Sequence, residues 1–196
     1  MQTLRQIERF WSAQQYDRLA RELLAARPEF SSRLLTELST SVPCAALALI
    51  RLDELNQGHR PFNQTLIRAI IAAQEGDGGW GDPLVSAICL RALLCNGGHG
   101  LSIDRGIAYL AELQKPEGLW PAIAVPRTVS DPFVSAFILF QLADSPAFRS
   151  AANIEAPVEW FLRNESTLDA DTRRLWHRAR PRSRMRIAVA AAAVAN

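Results

Sequence analysis

The residues that could do chemistry in this 196-residue chain are few, and most stand where a helix would begin. Asp82 and Asp131 each precede a proline and an apolar run, while Asp169 and Asp171 open an arginine-rich segment. A carboxylate in that position accepts the free amide hydrogens of the first turn, and the fixed φ of proline suits the same turn. An acid there also complements the helix dipole. Capping therefore accounts for these acids without catalysis. The loop from Gly76 to Gly81 is glycine-rich and precedes a helix start, as phosphate-binding loops do. Asp77 and Asp82 would repel an anion there, and the loop carries no lysine. His59 and His99 lie in glycine-bearing loops and His177 in the arginine-rich end. Cys44, Cys89 and Cys95 are an odd set in or near apolar runs, which suits small buried hydrophobes in a reducing compartment. No grouping offers the three protein ligands of a catalytic zinc, so neither metal nor cofactor is expected.

The elements that must carry these residues read as helices. Ser41–Leu52, Asp82–Leu93 and Asp131–Leu142 can be laid over one another, each with a cap residue, an early proline and an apolar run beyond. A helix apolar on every side is one enclosed by other helices. Between them lie one-sided segments. Phe62 to Ala73 groups Leu66, Ile67, Ile70 and Ile71. Ser102 to Leu113, expected to start on a Ser102 cap, groups Ile103, Ile107, Leu110 and Leu113. Pro157 to Asn164 is a third candidate. Enclosed helices alternating with half-wetted ones predict an all-α fold, a short or partial α/α toroid with inner and outer layers. Sustained period-two alternation, the signature of strands, is lacking.

Composition sets the remaining bounds. Hydrophobic residues make up 48% and charged residues 21%, with a net charge of +2, an ordinary globular balance. Lys115 is the one lysine among 22 basic residues. The N-terminus lacks a signal-peptide core, and no run reaches the roughly 20 apolar residues of a membrane span. A cytoplasmic protein is expected. The expected organisation is N-terminal capping helices over 1–38, with Leu4, Ile7, Phe10 and Trp11 on one face; a helical-hairpin region over 39–165; and a basic helix or tail over 166–196, solvated or partly disordered. The arginines there have no interleaved aromatics beyond Trp176, so nucleic acid is not an expected partner.

Two loops share one skeleton. Gln74-Glu-Gly-Asp77-Gly78-Gly-Trp80 and Gln114-Lys-Pro-Glu-Gly118-Leu-Trp120 both place an acid three residues after Gln, then Gly, then Trp at the sixth step. A period near 40 residues points to stacked helical hairpins. Arg105-Gly106-Ile-Ala-Tyr109-Leu110, running on to Gln114, Gly118 and Trp120, resembles the QW motif of squalene and oxidosqualene cyclases. The wider superfamily, with protein prenyltransferase β subunits and class II terpene cyclases, has an α/α toroid. In that family the motif is a structural clamp, so the resemblance implies structural roles for Gln74, Asp77, Gly78, Trp80, Gln114, Gly118 and Trp120.

The resemblance also says where catalysis would sit. Laying Ser135-Ala136 over the Thr-Ala of the cyclase acid motif puts Asp131 at its first Asp, with Phe133 and Val134 in place of the others. Asp169-Ala-Asp171 has the Asp-x-Asp start of such a motif. Asp131 and Asp171 are thus the candidate catalytic acids, in a family motif that is broken. The prenyltransferase zinc site fails as well, since Phe133 stands for its Cys and Val85 for its His. The function implied is handling of an isoprenoid or other apolar polyene, with Phe133, Phe137 and Phe140 lining the pocket and stabilising a carbocation through their π faces, or else serving as core. The alternative is a non-catalytic toroid derivative acting through a partner protein or self-association. Exposed terminal hairpins favour a homo-oligomer or partner, and basic residues beside the apolar tail are compatible with peripheral membrane contact.

Overall fold

The computed structural model describes residues 42–56, 63–97, 99–125 and 127–184. The expected N-terminal helices, Ser41, His59 and the apolar tail lie outside these. The described residues contain eight α-helices: α1 (Val42–Glu54), α2 (Asn63–Ala72), α3 (Pro83–Asn96), α4 (Gly100–Leu113), α5 (Pro132–Leu142), α6 (Pro146–Ala151), α7 (Glu155–Asn164) and α8 (Ala170–Arg184). A 3-10 turn, Glu165–Thr167, leads into α8. Among the described residues the sole β feature is an isolated bridge between Pro121 and Ser130. The described residues are therefore helical, as their periodicity requires.

Two compact units divide these elements. The first holds α1, α2 and residues 91–97 and 99 of the described chain; the second holds residues 75–90 and everything from Gly100. In the first, α1 packs against α2. Ala45 to Ile50 and Leu52 of α1 are buried, together with Leu66, Ile67 and Ile70 of α2.

In the second unit the two kinds of helix differ as their sequences demand. Every residue of α5 from Val134 to Leu142 is buried. Only one side of α4 is buried, through Gly106, Ile107, Tyr109 and Leu110. That helix begins at Gly100, so Ser102 sits within its first turn rather than capping it. The arginine-rich end also departs from a solvated tail, because α8 packs along α5. Thr172, Trp176, Ala179 and Ser183 of α8 are buried, and Trp176 stacks on Phe161 of α7 at 4.8 Å. Most of its arginines face water or carbonyls, and small and aromatic residues make the joint.

The two glycine-bearing loops make matching bonds. The amide of Glu75 donates to Gly79 and that of Lys115 to Leu119, at 2.9 and 2.8 Å. Gly78 and Gly118 donate to Glu75 and Lys115, with φ of 96° and 89°. Trp80 and Trp120 each donate a backbone amide to a serine of the next enclosed helix, Ser86 at 2.9 Å and Ser135 at 2.8 Å. Gly78 abuts the second turn of α4, and Gly118 abuts the first turn of α7. A Cβ on Gly78 would lie 2.5 Å from the Arg105 carbonyl oxygen, and one on Gly118 would lie 2.6 Å from Ala156 and 2.7 Å from Pro157.

Positive φ and a backbone neighbour act together at Gly118. Gly118→Ala should lower unfolding free energy by about 2 kcal/mol or more in urea titrations, whereas Gly76→Ala, which meets nothing within 4 Å, should change it little. Ser135→Ala strands the Trp120 amide in the core and should cost about 1–3 kcal/mol in the same measurement.

Candidate functional site

The motif residues of the Arg105–Trp120 stretch each have a definite contact. Arg105 donates to the carbonyls of Glu75 and Gly76, at 2.8 and 3.2 Å. Gly106 leaves room for Leu90 and Trp80, whose side chains would lie 2.8 Å from an added Cβ. Tyr109 lays its ring over Gly79, and the Leu110 carbonyl accepts from Trp120 Nε1 at 2.7 Å. Gln114 reaches furthest. Its Nε2 donates to the carbonyls of Gly118 and Asn153, at 2.8 and 2.7 Å, and its Oε1 accepts from the Asn153 amide at 2.9 Å. Asn153 Oδ1 in turn accepts from the amides of Glu155 and Ala156 at the start of α7. Gln114 thus ties the end of α4 to Asn153, whose side chain accepts the first amides of α7. In the other loop Asp77 accepts from Gly79 at 2.9 Å, while Gln74, which belongs to the first unit, donates its amide to Ile71. These contacts hold elements together; none presents a reactive group.

The acids sit at helix starts. Asp131 caps α5, its Oδ1 accepting from the Val134 amide at 3.1 Å, and its own amide donates to the Trp120 carbonyl at 2.8 Å. Asp171 is exposed in the first turn of α8, 3.2 Å from Arg174. The cap of that helix is Asp169, which accepts from the amides of Asp171 and Thr172 and from the Thr172 hydroxyl. The Thr172 hydroxyl, with the Thr172 amide, holds the Asp169 carboxyl below its ordinary range. Asp131 and Asp171 therefore stand at the heads of two helices that pack together, one half-buried and the other in water.

Asp82 is the acid with the most unusual setting. Its Oδ1 accepts from Leu84 and Val85 at 3.0 and 2.8 Å, yet burial outweighs both bonds and pushes the carboxyl above its ordinary value. Burial, and then the charges of Asp77 and Asp82, push the Tyr109 phenol up to about 12. The Tyr109 hydroxyl makes no hydrogen bond of good geometry. Burial, and then Asp82, also raise the Cys89 thiol well above its usual value. A carboxyl raised in this way is a weaker acid than free Asp, whereas protonating an alkene needs a stronger one.

The phenylalanines lie along α5. Phe133 is half-buried and Phe137 and Phe140 are buried. The guanidiniums of Arg178 and Arg182 lie 4.7 and 4.3 Å from the Phe140 ring centroid. This joining of the aromatic face to α8 was missed from sequence; the i, i+4 spacing of Arg178 and Arg182 was its visible trace. His177 binds Glu165 at 2.7 Å. Among the described residues no three His, Cys, Asp or Glu side chains gather as a metal would need, and no helix is long and apolar enough to cross a membrane.

What this geometry defines, among the described residues, is a helical arrangement with helices tied end to start by side chain–backbone bonds. Comparison with known proteins narrows it a little. A drimenyl diphosphate synthase of Streptantibioticus cattleyicolor is 29% identical over 86 residues, which cover 40% of this chain and 16% of that protein. The match loosely supports a terpene cyclase or prenyltransferase relationship. No family model matches, and no solved structure matches.

The carboxyl of Asp82 gives a signed pH dependence. Because its folded-state pKa is raised, the native state binds the proton more tightly, and this group's contribution falls as pH rises from the unfolded value near ~3.9 through the folded one. Asn retains the cap without titrating. Asp82→Asn should therefore gain on wild type as pH rises from acid to neutral, as read by urea unfolding at each pH.

Proposed function

We propose that this chain is part of an α/α toroid of the terpene cyclase and prenyltransferase kind, built on QW-type repeats, that handles an isoprenoid or other apolar polyene. The observation that carries the reading is the coincidence of the Arg105–Trp120 motif with a complete set of fastening contacts, beside similarity to a drimenyl diphosphate synthase. The relative's name supports a diphosphate ester among the candidate substrates. Under this reading α3 and α5 are inner helices, α4 and α7 are outer ones, and α8 is a third inner helix. Asp131 is the residue best placed to face the substrate, with Phe133 beside it. The cyclase proton donor is absent from the motif, so binding is the more secure expectation and turnover, where it occurs, depends on Asp131 or Asp171.

A second reading has its own support. Phe137 and Phe140 are packed rather than open, and the loop closed by Pro121 and Ser130 exposes Ile123, Val125 and Val129, the last at 85%. A non-catalytic toroid derivative that covers such a loop with a partner protein or a second copy would show both features.

Titrating the purified chain with farnesyl diphosphate, geranylgeranyl diphosphate and squalene, with product analysis by gas chromatography, separates the readings. The expected result is saturable quenching of tryptophan fluorescence by at least one of them, with any product lost in Asp131→Ala or Asp171→Ala. No binding by any of the three would favour the scaffold.

A further inference from the structure

The Tyr109 hydroxyl takes no part in the fastening contacts. Its ring lies on Gly79, and the phenol carbon Cζ is the atom that an added Cβ there would meet first, at 2.6 Å. That brings the hydroxyl end of the ring into the joint between residues 75–82 and the head of α3. Tyr109 is 5% exposed, and its hydroxyl is shut off from water yet makes no hydrogen bond of good geometry. In the other loop the step that Gly79 occupies is held by Leu119, a buried aliphatic side chain. The Gln114 clamp closes on that leucine, so a phenol is not what such a joint requires, and the pairing of Gly79 with Tyr109 has a separate cause.

Two acceptors at the same joint have capacity left. Asp82 Oδ1 accepts both capping amides, from Leu84 and Val85, which leaves Oδ2 without a protein donor. Ser86 lies one turn further along the same face of α3, and its hydroxyl oxygen accepts from the Trp80 amide, with a second lone pair to spare. The charges of Asp77, Asp82 and Glu75 reach the phenol, and the Ser86 hydroxyl is close enough to oppose them in part. A phenol donates one hydrogen and a carboxylate only accepts, so the two are complementary, yet no bond joins them directly. A small molecule that both accepts and donates would close the gap. Water does both, and a buried water commonly serves about three polar groups left unmatched by the protein. An anion would be repelled by the carboxylates. A metal ion does not fit either, since among the described residues no three His, Cys, Asp or Glu side chains gather.

We infer that Tyr109 Oη, Asp82 Oδ2 and Ser86 Oγ hold one bound water, which accepts from the phenol and donates to the carboxylate and the serine oxygen. Through it α4 is joined to the head of α3 beneath the Gly78-Gly79 turn. Gly79 is then the residue that gives a hydroxyl-bearing ring room to reach the cap of α3. The site is independent of whether the chain binds an isoprenoid.

High-resolution crystal structures of the full chain and of two variants, with water–amide NOEs recorded in solution, test the site. Wild type should show one ordered water within hydrogen-bond distance of Tyr109 Oη and Asp82 Oδ2, and a water cross-peak at the Trp80 amide. Tyr109→Phe keeps the ring on Gly79 but removes the donor, and both signals should be lost. Asp82→Asn keeps an acceptor oxygen and should retain the water. A direct bond from Tyr109 to Ser86 or Asp82 with no water between them overturns the inference, as does a water that stays in place in Tyr109→Phe. Should Tyr109→Phe fail to fold, the wild-type crystal structure decides alone.

Discussion

Two tryptophan amides set the terms for the second unit. Trp80 and Trp120 are buried at the point where a one-sided helix gives way to an enclosed one, so their backbone N–H groups are cut off from water. A buried amide without a partner costs about as much as a lost hydrogen bond. Ser86 and Ser135 supply the acceptors from inside otherwise apolar helices. Ser135 also donates to the Asp131 carbonyl at 2.7 Å, joining the cap, the helix and the tryptophan in one network.

The same reasoning extends to the helix ends. An enclosed helix such as α5 leaves carbonyls at its last turn that water reaches poorly. Arginines from α6 and α8 answer them: Arg149 at Ala143 and Arg182 at Phe140. Guanidinium suits this task because its donors form a rigid fork, while its stem packs on aromatic surface. The arginine-rich end is thus part of the packing of α5, and its charge is spent largely on carbonyls.

Much of this was legible in the residues. Asp131 followed by Pro132 announced the start of α5, and the unbroken apolar run announced its burial. The skeleton shared by the two loops announced their equal hydrogen bonding, because Gly at the fourth step reflects positive φ. Three things were not legible. The start of α4 at Gly100 escaped because a glycine is a poor helix former and Ser102 carried the stronger local signal. The docking of α8 escaped because its buried residues, Thr172, Trp176, Ala179 and Ser183, are small or isolated among arginines, so no apolar stripe shows. The raised carboxyl of Asp82 escaped because capping bonds and burial act in opposite senses, and their balance depends on surroundings that one-dimensional pattern does not carry. Of the candidate acids, the sequence reading of Asp131 as a cap and Asp171 as a first-turn acid matches their contacts.

Dependence on guanidinium leaves the chain almost bare of primary amines. Lys115 is the lone lysine, half-buried beside Gln114 in the loop that ties α4 to α7, with its backbone amide bonded to Leu119. An amine-directed reagent or acetyltransferase would therefore mark one side chain, at the joint between two helices, and leave every arginine contact intact. Labelling at that side chain reports on whether the joint is closed.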